Sequence, residues 1–154
     1  MKPDGAQILL GLTGAMFIVV GAIYLIDPPL MYALYGESLS GANAYHLVRT
    51  SAGGPLLVSG AALLTGAFKA EFRRHALWIN LVMLSAFVLG RAWSLLADGP
   101  TPSMILRLEI IPEIALSLLT MHYLRRRTPP MSQDASERLR TQTDELVPSG
   151  PSAD

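Results

Sequence analysis

The chain has 154 residues, of which 51% are hydrophobic and 16% charged, with twelve basic and twelve acidic side chains and a formal net charge of zero. That balance gives no bulk electrostatic reason to bind nucleic acid, and the lack of cysteine excludes disulfides and thiolate metal sites. Residues 128–154 are polar, so the mean hydropathy of +0.37 understates the apolar character of everything before them.

A helix needs about 20 apolar residues to cross a bilayer core about 30 Å thick. Residues 6–26, AQILLGLTGAMFIVVGAIYLI, meet that length without a charge and stop at Asp27-Pro28-Pro29. The run is longer than a signal-peptide core and no A-x-A site precedes Asp27, so it is predicted to be a retained span. The loop at 27–43, DPPLMYALYGESLSGAN, is long for a helical hairpin. Within it, residues 29–35 are predicted to form a short interfacial helix with Tyr32 and Tyr35 at headgroup level. A second span covers 46–68, its helix starting near Ala44. A third covers 75–97, interrupted by Asn80 and Arg91, and a fourth covers 102–124, carrying Arg107, Glu109 and Glu113. No segment shows the full polar face of a soluble bundle helix. The pattern predicts an all-α integral membrane four-helix bundle over 1–127. The tail at 128–154 has too little apolar content to order itself and is predicted to be a disordered cytoplasmic segment.

Four spans place both termini and the loop between spans two and three on one side. That side carries Lys2, Lys69, Arg73, Arg74, Arg125, Arg126 and Arg127, whereas the loops at 27–43 and 98–101 carry Asp27, Glu37 and Asp98 and no Lys or Arg. The asymmetry predicts both termini in the cytoplasm.

The charges inside the spans are the main functional signal. Arg91 lies seven residues inward from Asp98, and Glu109 lies seven inward from Pro102 in the antiparallel neighbour. Both depths are about 10 Å at 1.5 Å per residue. Glu113 is one turn deeper on the same face as Glu109. In span three, Asn80, Leu84, Phe87, Arg91, Ser94 and Asp98 are spaced as one helical stripe. A charge at the bilayer centre costs roughly 2.5–3.5 kcal/mol on insertion scales, so such residues face the bundle interior and pair. Arg91 is therefore expected to pair with Glu109 or Glu113, with Arg49 competing for the same carboxylates and Arg107 pointing outward along its aliphatic stem. A second reading stands beside this one: Arg49 and Arg107 snorkel to the headgroups, and the Arg91 pair only sets packing and register.

His46 and Arg49 are one turn apart at the outer end of span two, preceded by Asn43. Small residues at Gly53, Gly60 and Ala61, matched by Gly11, Gly14, Gly21 and Ala22 in span one, are read as close helix contacts. Pro112 frees the carbonyl of Leu108 beside Glu109, which could help line a polar cavity. The three histidines form no metal-binding spacing, and no nucleophile, phosphate loop or dinucleotide fingerprint is present. Neither a cofactor nor a metal is expected.

The segments GRAWSLLADGPTPS and PEIALSLLTMHYLRRR resemble a widespread bacterial family of four-span membrane proteins described as a domain of unknown function. The likeness rests on Asn43, Arg49, Gly53, Gly90, Arg91, Ser94, Asp98, Gly99, Pro102, Ser103 and Glu113, over about residues 6–127. His46 departs from the acidic or amide-rich stretch expected before the arginine. The likeness implies a multi-pass protein of the bacterial inner membrane and brings no assigned reaction. VRTSAGGPLLVSGA and DGPTPS are more loosely similar to the ergosterol-biosynthesis scaffold family, which implies an adaptor that gathers membrane enzymes.

Three functions are therefore weighed. The leading expectation is a non-catalytic adaptor or accessory subunit docking on a larger membrane protein. The alternative is a lipid or small-molecule binding or transport component using Asn43, His46, Arg49, Arg91, Ser94, Asp98, Glu109 and Glu113. An intramembrane enzyme using Glu113 ranks last, because an arginine partner favours the ionised carboxylate over a proton donor.

Overall fold

The computed structural model describes residues 4–100 and 103–126, and every regular element among them is helical. Helix α1 spans Gly5–Ile26, α2 Pro28–Leu34 and α3 Ala42–Val48. A π turn at Arg49–Gly53 leads into α4, Gly54–Phe68, and a 3₁₀ turn at Ala70–Phe72 leads into α5, Arg73–Asp98. Helix α6 is Met104–Arg126. Lys2, Arg127, Pro102 and the tail at 128–154 lie outside the described residues.

Local chemistry explains the boundaries. Asp4 caps α1 by accepting from the Gln7 backbone N–H at 2.8 Å. Pro28 and Pro29 end α1 and open α2, where their missing donors cost nothing. The second long helix starts at Ala42, earlier than the expected Ala44, because α3, the π turn and α4 run on without a break. The π turn ends two residues before Pro55. A proline ring clashes with the carbonyl four residues back, and the wider turn accommodates it. Gly99, at φ 82°, stops α5 in a left-handed conformation that suits glycine.

Helices α1 and α4 pack against each other most extensively, with α5 on α4 and α6 on α5. The α1–α4 contact is a backbone approach. A Cβ on Gly60 would come within 2.8 Å of the Gly14 carbonyl, and one on Gly21 within 3.0 Å of the Gly53 carbonyl. The seven-residue step from Gly14 to Gly21 matches the step from Gly60 to Gly53, as an antiparallel pair requires. Gly11 is looser, with Ala67 at 4.0 Å, and Ala61 faces outward rather than into the contact. Fully buried Leu10, Leu63, Leu77 and Leu84 fill the core between the helices.

Three helical stretches are long and apolar enough to cross a membrane: Gly5–Ile26, Ala42–Phe68 and Ala70–Asp98. Helix α6 has 23 residues, about 34 Å at 1.5 Å per residue, but carries three charges in its first half. Outward faces carry many large apolar side chains, with Leu12 at 69% exposure, Val58 at 69% and Leu118 at 61%. A surface of that kind suits a hydrocarbon solvent, not water.

Candidate functional site

Arg91 projects from the last third of α5 toward α6, where Glu109 and Glu113 sit one turn apart on the facing side. Its Nε donates to both oxygens of Glu113, at 2.9 and 3.1 Å. Its Nη2 donates to Glu109 Oε2 at 2.6 Å, and its Nη1 reaches the Leu106 carbonyl at 3.4 Å. The planar guanidinium thus serves two carboxylates at once, a geometry that an ammonium lacks. The side chains are part-buried, with Glu113 at 14% exposure and Glu109 at 34%.

Two tyrosines complete the polar group. Tyr35, just after α2, donates its hydroxyl to Glu109 Oε1 at 3.1 Å and also interacts with the Tyr24 hydroxyl. Burial first, then the neighbouring Tyr24 and the Glu109 carboxylate, push the Tyr35 phenol above its usual range. Tyr35 therefore ties the connection between α2 and α3 to α6 as a neutral donor.

These residues form the polar end of a cavity of about 230 Å³ between α1, α2, α4, α5 and α6. Its walls are apolar, with Phe17 and Val20 from α1, Leu56 from α4 and Leu84 and Phe87 from α5. Phe17 and Phe87 meet edge to face, their ring centres 6.0 Å apart. Among the described residues no group of three His, Cys, Asp or Glu side chains is placed to hold a metal ion.

A family model described as a domain of unknown function (DUF4345) matches residues 5–124, the whole helical part of the chain except its last two residues. The chain belongs to this family. No curated protein and no solved structure matches it. Family membership agrees with the resemblance read from GRAWSLLADGPTPS; the bundle and its cavity give this member a site that the family description does not assign.

Of the eight residues singled out in the sequence, the structure gathers Arg91, Glu109 and Glu113. Arg49 does not compete for the carboxylates. Its Nε donates instead to the Leu25 carbonyl at 2.9 Å, and its guanidinium lies 5.7 Å from the Tyr45 ring centre. The reason is local: in a continuing helix residue 29 would donate to Leu25, and residue 29 is proline. Asn43 and His46 are exposed on α3 and do not line the cavity. Ser94 and Asp98 bond to each other at 3.0 Å on the exposed end of α5. The stripe from Asn80 to Asp98 therefore turns from fully buried to exposed along its length. Arg107 is exposed, as expected for its offset from Glu109. The Arg91 guanidinium uses the Leu106 carbonyl, not that of Leu108 freed by Pro112.

Sequence reasoning missed Tyr24 and Thr120, and it placed Tyr35 at headgroup level without its bond to Glu109. Asn80 donates to Thr120 at 2.9 Å, fully buried, and Thr120 donates on to the Leu116 carbonyl at 2.7 Å. The signal was present: Asn80 is eleven residues before Arg91, and Thr120 is eleven after Glu109. The register that pairs the charges pairs these two as well. Arg73 was counted only as an orientation marker. It pairs with Asp4 at 3.0 Å and donates to the Gly66 and Ala67 carbonyls at the end of α4.

Proposed function

We propose that this protein is a four-span membrane protein that binds a small amphiphile in the cavity between its helices, with its basic end and both termini in the cytoplasm. The observation that carries the reading is one cavity with an apolar body and a single polar end. Pockets that hold small molecules have that form, with few polar groups placed to orient the ligand. The volume of about 230 Å³ lies below the roughly 300–1,000 Å³ of pockets for drug-sized ligands, which fits a short ligand or one segment of a longer lipid. The grouping of Lys69, Arg73, Arg74, Arg125 and Arg126 at one end of the bundle, with Asp27, Glu37 and Asp98 at the other, supports the orientation. Binding fits better than catalysis, because both carboxylates already accept from Arg91 and neither stands free as an acid or base.

An accessory-subunit role is the second reading. It is favoured by the outward face of α5, where Trp93 at 72% and Leu96 at 81% exposure stand beside the Ser94–Asp98 pair. Native mass spectrometry of protein released gently from its own membrane separates the two. A bound lipid or metabolite, lost in Met16→Trp, which narrows the cavity, supports the cavity. A stoichiometric larger protein with no small ligand supports the accessory role and counts against the cavity.

A further inference from the structure

The charge inside the cavity does not balance. Of its titratable lining residues, Arg91 brings one positive charge, Glu109 and Glu113 bring two negative charges, and Tyr24 and Tyr35 are neutral hydroxyls. The guanidinium's charge is already met by two carboxylates: Nε serves Glu113, Nη2 serves Glu109 and Nη1 leans on the Leu106 carbonyl, so an anion here would face a net negative group. Glu109 is differently placed. One of its oxygens accepts from Arg91 and the other from Tyr35. A carboxylate has about four acceptor sites, so each oxygen keeps room for a further donor. Glu109 is also the more exposed of the two carboxylates. Tyr35 and Tyr24 stand at this polar end, and the lining also carries the rings of Phe17 and Phe87. Ring faces attract cations within about 6 Å of their centres, and more strongly where water is excluded.

We propose, on the footing of the amphiphile-binding reading, that the cavity selects a small cationic amphiphile, an alkylammonium-type molecule. Its charged head sits against Glu109, Tyr35 and Tyr24. Its chain lies along Phe17, Leu84 and Phe87. The excess carboxylate supplies the missing counter-charge to the ligand, the aromatic rings replace part of its hydration shell, and the apolar wall excludes an ionic tail.

The test compares three probes of equal chain length and different head charge: octylammonium, octanol and octanoate. Each is titrated into the full chain in a non-ionic detergent, with saturable binding followed by native mass spectrometry and by thermal stability from tryptophan emission. Octylammonium should bind one per chain and about tenfold tighter than octanol, with octanoate weakest. In Glu109→Gln that preference should shrink about tenfold. Met16→Trp, which fills the cavity from a half-exposed position, should abolish the site. Equal affinity for octylammonium and octanol, or tighter binding of octanoate, overturns the charge selection and leaves the cavity reading standing. Binding of none of the three overturns both. Undiminished octylammonium binding in Met16→Trp places the site elsewhere and also overturns the proposal. If Glu109→Gln does not fold, the comparison of the three probes on the unaltered chain decides alone.

Discussion

Helices α1 and α4 are held together by what they lack, and α5 and α6 by what they carry. The first pair meets through glycines, with backbone against backbone and no charge in the contact. The second pair meets through Arg91 with Glu109 and Glu113, and lower down through Asn80 with Thr120. In a bilayer the lipid tails are as apolar as leucine, so helices associate through close packing or polar bonds rather than through the hydrophobic effect. This protein uses one device on each side. The glycine contact leaves no space. The polar contact works through side chains, and Arg91, Glu109 and Glu113 line one end of the cavity.

The largest break in that contrast is Gly60→Leu. Its first side-chain atom already meets the Gly14 carbonyl and the Ile18 backbone nitrogen, neither of which can yield. Overpacking of this kind costs about 3 kcal/mol, so the variant should lose most of its folded fraction in a detergent unfolding titration. Unchanged stability would show that the glycines are not a tight contact.

Arg91→Leu comes next. Removing one partner of a buried pair costs about 3–5 kcal/mol, and the partial exposure here lowers that to about 2 kcal/mol. Arg91→Glu should be worse, and adding Glu113→Arg or Glu109→Arg should recover part of the loss. Failure of both double variants to recover stability in the same titration would remove the ion pair as the link between α5 and α6.

Thr120→Val sharpens the lower polar contact. Asn80 Oδ1 has no partner, and the variant strips Nδ2 of its partner too, at a cost of about 1 kcal/mol. Asn80→Leu removes both needs and should be closer to neutral. If Asn80→Leu proves the more damaging of the two, packing around residue 80 outweighs the unpaired amide, because both variants lose the bond.

The smallest effect belongs to Tyr35→Phe, which removes the hydroxyl bond to Glu109 for about 0.5–1 kcal/mol. The change also alters the alkaline limb of stability. The phenol is raised in the folded state from an ordinary 10.0, mainly by burial, so the neutral form is held more firmly there than in the unfolded chain. Its contribution is present below pH 10.0 and falls as pH rises beyond it. Tyr35→Phe should therefore decline less steeply above that pH, and parallel curves would show that the phenol takes no part.

How far the site could be read in advance follows from which forces set it. The Arg91–Glu109 pairing was legible because depth in a helix is counted in residues, and turns at both helix ends supply a shared origin. The same count reaches Asn80 and Thr120, although a threonine gives no alarm of the kind a charge gives. Arg49 went astray because its partner is a backbone carbonyl orphaned by a proline in another helix. The eight-residue polar list shrank to three for a related reason. A stripe on α5 says which residues share a face, but not where the neighbouring helix ends. Beyond Arg91 the stripe faces open space, and Ser94 and Asp98 satisfy each other.

The amino-acid sequence by itself determined that this is an all-helical chain with apolar stretches of bilayer length, and where those stretches stop. Hydrophobic run length, proline and glycine act locally and need no partner to be read. It also determined the depth of the in-span charges, through the constant rise of a helix. Only the tertiary structure decided that Arg91 takes both carboxylates while Arg49 takes neither, that Tyr24 and Tyr35 join them, and that a cavity opens beneath. Those outcomes depend on the distance and rotation between helices, which are set by contacts across several elements at once.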